Sequence, residues 1–208
     1  WGVDSRFGSL PGVYRTTVGY AGGLSPNPYY HHIDDHTEVV RVEFDPQQVS
    51  YAQLLDVFWK SHDPTLAAYQ RQYRNAIFTL DDVQYHVAEL SLKTVAEEVG
   101  KEIHTVIEPA GEFYAAEAYH QKYLVRRAYG LLSEFQAIYP DDDSFAASTA
   151  VAKVNGYLGC NGQPKALERE LETLGLSPES QKWLIEYLHK SCTRFDALTC
   201  PSPTSPGV

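Results

Sequence analysis

The chain has 208 residues and a formal net charge of −10, with 43% hydrophobic and 12% aromatic residues. That composition belongs to a folded protein able to bury a sizeable core, not to a disordered chain. The acidic balance argues against nucleic acid or an anionic membrane as the main partner, and no apolar run approaches transmembrane length.

The opening stretch, Trp1 to Gly8, reads as a helix. Val13 to Tyr20 is β-branched and aromatic, stops at Gly22-Gly23, and reads as a strand. A polar loop over 24–37 leads to a second strand, Glu38 to Phe44, closed by Asp45-Pro46. Ser50 with Gln53 three residues later forms a capping box. Behind it Tyr51, Leu54, Leu55, Phe58 and Trp59 fall on one helical face. His62-Asp63-Pro64 ends that helix. Asn75 to Leu80 reads as a third strand, Asp81 and Asp82 open a long helix to Gly100, and Glu102 to Glu108 reads as a fourth strand. The aromatic-rich stretch 113–139 is predicted partly helical. Ser148 to Val154 is expected to be a helix ending in a Gly-rich turn, Asn155 to Gly162. Residues 164–174 and 178–191 form a helical hairpin, with Gly175 ending the first arm and Ser177-Pro178 starting the second. The tail from Thr199 is low in complexity. The order implies a mixed sheet with packed helices, an α+β architecture. The lone opening helix implies a strand before it.

Three cysteines, Cys160, Cys192 and Cys200, make an odd count that does not suggest a disulfide-stapled scaffold, so each reads as unpaired. His31, His32 and His36, with Asp34, Asp35 and Glu38, could form a metal site on composition alone, but a polar inter-strand loop explains them as well and no metal site is expected.

Trp1-Gly2-Val3-Asp4-Ser5-Arg6-Phe7-Gly8, then Val18-Gly19-Tyr20-Ala21-Gly22-Gly23, closely resembles the N-terminal signature of peptide-methionine sulfoxide reductase A. Further matches are Asp35-His36-Thr37-Glu38, Asn27-Pro28-Tyr29-Tyr30, His62-Asp63-Pro64-Thr65, Gln72-Tyr73-Arg74-Asn75-Ala76 and Ala116-Glu117-Ala118-Tyr119-His120-Gln121-Lys122-Tyr123-Leu124. The resemblance covers residues 1 to about 125. It implies a split β-α-β-β-α-β, ferredoxin-like core carrying a C-terminal helical extension. The expected division is a reductase-like domain over 1–140, the extension over 141–194 and a flexible tail over 195–208.

The resemblance also implies a chemistry. The family nucleophile is a Cys two positions before the Trp, which falls upstream of Trp1. The chain contains no Met; either the N-terminus has been processed or left out, or the protein lacks the nucleophile. Trp1 is implied as a wall of the pocket for the substrate methyl group. Glu38 is implied as the acid that protonates the sulfoxide oxygen, a role open to a carboxyl held neutral by an apolar site. Tyr30 and Tyr73 are implied to bind that oxygen. Asp63, His120 and Tyr123 are implied to support the pocket. Asp35 and Thr37 depart from the family Gly and Ala. Gly156-Tyr157-Leu158-Gly159-Cys160 resembles a displaced form of the family's resolving-thiol motif, and Gly156, Gly159 and Gly162 suggest a mobile loop around Cys160, with Cys192 and Cys200 as alternatives. The implied reaction is thiol-dependent reduction of the S-epimer of methionine sulfoxide, free or in proteins. No bound cofactor is implied, and thioredoxin or another dithiol is the reductant. A cytoplasmic location is favoured. The alternative is an inactive relative serving as an interaction module in a larger assembly.

Overall fold

The computed structural model describes residues 2–192. Helix α1 (Gly2–Gly8) leads into an antiparallel pair, β1 (Val13–Ala21) and β2 (Thr37–Phe44), paired in one register from Arg15 opposite Glu43 to Ala21 opposite Thr37, with a shift between Val13 and Arg15. Helix α2 (Tyr51–Lys60) follows, then β3 (Ala76–Thr79), α3 (Asp82–Val99) and β4 (Val106–Pro109). A short β5 (Tyr114–Ala115) pairs with the free edge of β1. The strands form two separate sheets, β2-β1-β5 and a parallel β3-β4 pair. Between β2 and β3 lies a groove.

The helix signals read from sequence hold in detail. Ser50 caps α2 with a reciprocal capping box through Gln53. Asp81 caps α3, and Gly100 ends it in the left-handed conformation. The fourth strand is shorter than expected. Residues 102–105 do not join it, because His104 N–H donates to the carbonyl of Pro64, and pairing begins only at Val106.

Helices α4 (Tyr123–Arg127), α5 (Tyr129–Ile138), α6 (Asp142–Ala147) and α7 (Thr149–Leu158) come next, then the hairpin of α8 (Pro164–Glu170) and α9 (Pro178–Ser191). The largest apolar cluster, including Phe135, Phe145, Val151, Leu167, Leu184 and Leu188, joins α5 to α9. Helix α7 runs four residues past the expected Val154, through Asn155 and Gly156. The reason is its packing on α1. A Cβ on Gly156 would lie 2.6 Å from the Ser9 nitrogen, one on Gly159 2.5 Å from the Ser5 hydroxyl, and one on Gly162 2.2 Å from the Tyr157 ring. These glycines permit close approach, and the mobile loop expected around Cys160 is corrected to a packed helix end.

The cysteine reading changes too. Cys160 and Cys192 form a disulfide with Cα atoms 5.3 Å apart, within the normal range. Counting parity could not see this, because it takes the α8–α9 hairpin to return Cys192 to the end of α7. The Tyr187 hydroxyl, donating to the Leu158 carbonyl, fastens the same junction. Cys200 lies outside the described residues.

One buried ion pair ties the two halves of the chain together. Asp4, in the first turn of α1, and Lys122 are both essentially inaccessible. The Lys122 ammonium donates to Asp4 at 3.3 Å, to the Thr16 carbonyl at 2.5 Å and to the Thr16 hydroxyl at 3.0 Å. Asn155 of α7 donates to the other Asp4 oxygen and accepts from Leu124 N–H. Burial pushes the Lys122 pKa down, against the pull of Asp4. Removing one partner strands the other charge. Lys122→Met is expected to cost about 3–5 kcal/mol in urea unfolding, and Asp4→Asn in the same chain to recover a large part of it.

Candidate active site

The loop between β1 and β2 is built from side chain to backbone bonds. Asp35 accepts from the N–H groups of Leu24 (2.7 Å) and Ser25 (3.1 Å). His36 is fully buried. Its Nδ1 accepts from Gly23 N–H, which leaves Nε2 as the donor to the Ser25 carbonyl at 2.7 Å. Both ring nitrogens are therefore engaged within the loop. Thr37 accepts from the Arg74 guanidinium, which also forms a two-pronged pair with Glu108. Asp35 and Thr37, the two departures from the family motif, thus each hold a defined structural contact. The polar-loop reading of the histidine cluster accounts for these bonds.

This loop and the start of β2 present Glu38. It sits opposite Tyr20 in the β1–β2 register and accepts from the Gln72 side chain at 2.7 Å. The same Gln72 amide reaches the Tyr73 hydroxyl at 3.0 Å. Tyr73 belongs to a short 3₁₀ turn, Arg71–Tyr73, anchored by Arg71 donating to the carbonyls of Asp35 and Gly22. Desolvation of the phenol, the Glu38 charge and a hydrogen bond with Tyr30 together raise the Tyr73 pKa. Tyr30, Glu38 and Tyr73 are therefore brought into one cluster.

His120 joins them from the segment before α4. It is buried in a 3₁₀ turn (Ala118–His120), with its ring 4.6 Å from that of Tyr30. Burial pushes its pKa below the ordinary value. Glu117, which sequence reasoning passed over, organises this side. It accepts from the Tyr20 hydroxyl at 2.8 Å and from Tyr30 N–H at 2.9 Å. Burial alone would raise its carboxyl, but these donors bring its pKa below the usual value. It is an ionised acceptor that fixes Tyr30. Burial and Glu117 together push the Tyr20 phenol up, so it stays a donor.

Two assigned residues stand apart. Asp63 is exposed, and its carboxylate accepts from the backbone and hydroxyl of Thr65. The Tyr123 hydroxyl accepts from Arg127 one turn on. Trp1 lies outside the described residues. The missed residues Glu117, Gln72 and Gln121 carry no periodicity signal, since a polar residue beside a helix reads as solvated. Gln121 is buried and bonds both the N–H and the carbonyl of Val18, like a short strand on the edge of β1.

What the arrangement offers chemically is a carboxyl, two phenols and an imidazole linked in one cluster, of which Glu38 and Tyr73 share a groove with Val3 and Asp4 of α1, with the disulfide of Cys160 at the end of the helix that packs along α1. The family model described as peptide methionine sulfoxide reductase matches residues 1–150. A Drosophila melanogaster peptide methionine sulfoxide reductase is 38% identical over 202 residues, covering 96% of this chain and 80% of the fly protein. The Synechocystis peptide methionine sulfoxide reductase MsrA 1 is 46% identical over 143 residues, 62% of this chain and 64% of its own length. A solved methionine sulfoxide reductase A of Corynebacterium diphtheriae superposes with a TM-score of 0.58 at 36% identity, covering 62% of this chain and 70% of that one. The chain thus spans four-fifths of the fly relative and just under two thirds of the Synechocystis one. Both disulfide cysteines fall beyond the matched 1–150 region.

The loop network makes a pH prediction. Leu24 and Ser25 N–H groups hold the Asp35 pKa at about 2, below its usual 3.8. A depressed carboxylate stabilises above its unfolded pKa, and that stability is lost as pH falls through the folded one. Between pH 4 and 2 the wild-type chain is expected to lose stability more steeply than Asp35→Asn, measured as urea midpoint against pH.

Proposed function

Since the chain belongs to the peptide methionine sulfoxide reductase family, we propose that it reduces the S-epimer of methionine sulfoxide, free or in proteins, using a cysteine nucleophile two positions ahead of Trp1. The observation that carries this reading is the Tyr30–Tyr73–Glu38 cluster, in which two phenols and a carboxyl converge, with Glu38 and Tyr73 lining the same groove as Val3 and Asp4 of α1. A thiolate there is favoured by the helix end. It attacks the sulfoxide sulfur. Tyr30 and Tyr73 hold the oxygen, and Glu38 supplies its proton. The substrate S–O bond breaks, the substrate sulfur is reduced to the thioether, and the oxygen ends on the cysteine as a sulfenic acid.

In this reading Cys160 resolves the cycle. Its thiol attacks the sulfenic sulfur and releases water, forming a disulfide with the nucleophile. The Cys192 thiol then attacks Cys160, frees the nucleophile and leaves Cys160–Cys192 as the final disulfide, which thioredoxin or another dithiol reduces. The structure supports this through the pairing of Cys160 with Cys192 and through the packing of Gly159 and Asn161 on Ser5 of α1. That the substituted Asp35 and Thr37 both have working partners weighs against a decayed, inactive site.

Two outcomes follow for the protein carrying its native N-terminus. Glu38→Gln keeps the Gln72 contact as an amide pair but lacks an acid proton, and kcat is expected to fall on the order of 100-fold with dithiothreitol as reductant. Unchanged turnover across neutral pH would remove Glu38 from its role. Cys160→Ser is expected to form about one equivalent of methionine per enzyme, yet to turn over poorly with thioredoxin. Full thioredoxin-driven turnover would pass the resolving role to another cysteine.

A further inference from the structure

We infer that a dithiol reductant opens the Cys160–Cys192 disulfide at the Cys160 sulfur, with Cys192 as the leaving group. The two cysteines stand in unlike surroundings. Cys192 is only 2% exposed. It follows Leu184 and Leu188 at four-residue spacing at the end of α9, and both leucines are fully buried, so it continues the inward stripe of that helix. It is a member of the largest apolar cluster, with Phe135, Val154 and Leu158. Cys160 packs against that cluster from outside and is partly exposed. It stands just past the end of α7 in the left-handed conformation, with φ of 58°. Gly159 before it has no side chain. The Asn161 side chain after it is held to α1, donating to the Ser5 hydroxyl at 3.0 Å and accepting from Arg6 at 3.0 Å. Neither neighbour in sequence therefore offers a side chain to cover the sulfur.

Thiol–disulfide exchange is a displacement at sulfur, with the attacking, central and leaving sulfurs close to one line. A thiolate striking Cys192 would have to arrive from the side opposite Cys160, through the cluster that holds Leu184 and Leu188. One striking Cys160 arrives from the side opposite Cys192, away from that cluster. The leaving-group preference runs the other way, since a thiolate released among apolar side chains at the C-terminal end of a helix leaves less readily. That effect slows the step, whereas a blocked approach forbids it, so access decides. One thiolate of the dithiol bonds to the Cys160 sulfur, the Cys160–Cys192 bond breaks, and Cys192 keeps the electron pair and takes a proton from solvent. The second thiol of the reductant then attacks the reductant's own bonded sulfur and releases Cys160. The disulfide has gained two electrons, and the dithiol has become a disulfide. Within the proposed cycle the Cys160 sulfur is thus struck twice, by Cys192 from inside and by the reductant from outside. Only the class of reductant is taken from the reductase reading; which sulfur is struck depends on the disulfide and its surroundings.

The test uses the oxidised full chain carrying Cys200→Ser, so that its cysteines are the disulfide pair alone. The chain is mixed with a thioredoxin whose second active-site cysteine is serine, and separately with glutathione. After acid quenching and blocking of free thiols, peptide mapping locates the mixed disulfide. Both probes are expected on Cys160 over Cys192 by on the order of 10-fold. In the fully reduced chain, iodoacetamide is expected to alkylate Cys160 on the order of 10-fold faster than Cys192, a difference that guanidinium chloride abolishes. Mixed disulfide shared equally or found mainly on Cys192, no adduct with either probe, or equal alkylation in the folded chain would overturn the inference. Glutathione on Cys160 with no thioredoxin adduct would uphold the struck sulfur and remove thioredoxin from the reductase reading.

Discussion

A single buried charge pair carries the geometry of the site. Asp4 and Lys122 stand 118 positions apart in sequence, and their contact brings the first turn of α1 against β1, the segment before α4, and α7. The desolvation cost of two buried charges is large, and it is offset here by a full set of donors and acceptors. Thr16 takes the remaining ammonium protons, and Asn155 holds the second Asp4 oxygen. A pair satisfied in this way has one arrangement that works. That places α1 relative to the helix carrying the Cys160 junction, and places the Ala118–His120 turn, two residues before Lys122, against Tyr30.

From that anchor the two sides of the site follow. On one, Glu117 is ionised and fixes Tyr20 and Tyr30. On the other, Gln72 spans Glu38 and Tyr73. The proposed acid, Glu38, and the positioning carboxyl, Glu117, thus have different surroundings. Glu117 is surrounded by donors, whereas Glu38 faces one amide and the open groove. The close packing of Gly156 on Ser9 and of Gly159 on Ser5 completes the frame, because it brings the disulfide junction against α1.

Local rules were legible in the sequence. The Ser50–Gln53 box, the Asp81 cap, the Gly100 and Gly175 terminations and the Ser177-Pro178 start are short-range signals, and the structure shows each one. Strands β1 and β2 came within one residue of their observed ends for the same reason. What failed was long-range. The glycines around Cys160 read as mobile because nothing local says that α1 lies against them. The Cys160–Cys192 pair was invisible because the hairpin that closes it is tertiary. Tyr30, Tyr73, Glu38 and His120 were found only through motif resemblance. With 15 tyrosines in the chain, no periodicity selects two. Glu117 sat inside a quoted motif and was still overlooked, since its partners, Tyr20 and Tyr30, are 97 and 87 positions away.

The account makes the Cys160–Cys192 disulfide the end point of a two-electron cycle begun at the start of α1. The direct measurement is peptide mapping of the fully reduced protein, with its native N-terminus, after one equivalent of methionine-(S)-sulfoxide is added without reductant. The account predicts one equivalent of methionine and a Cys160–Cys192 disulfide in matching amount. Methionine formed while both cysteines remain free thiols, or no methionine formed at all, would contradict it.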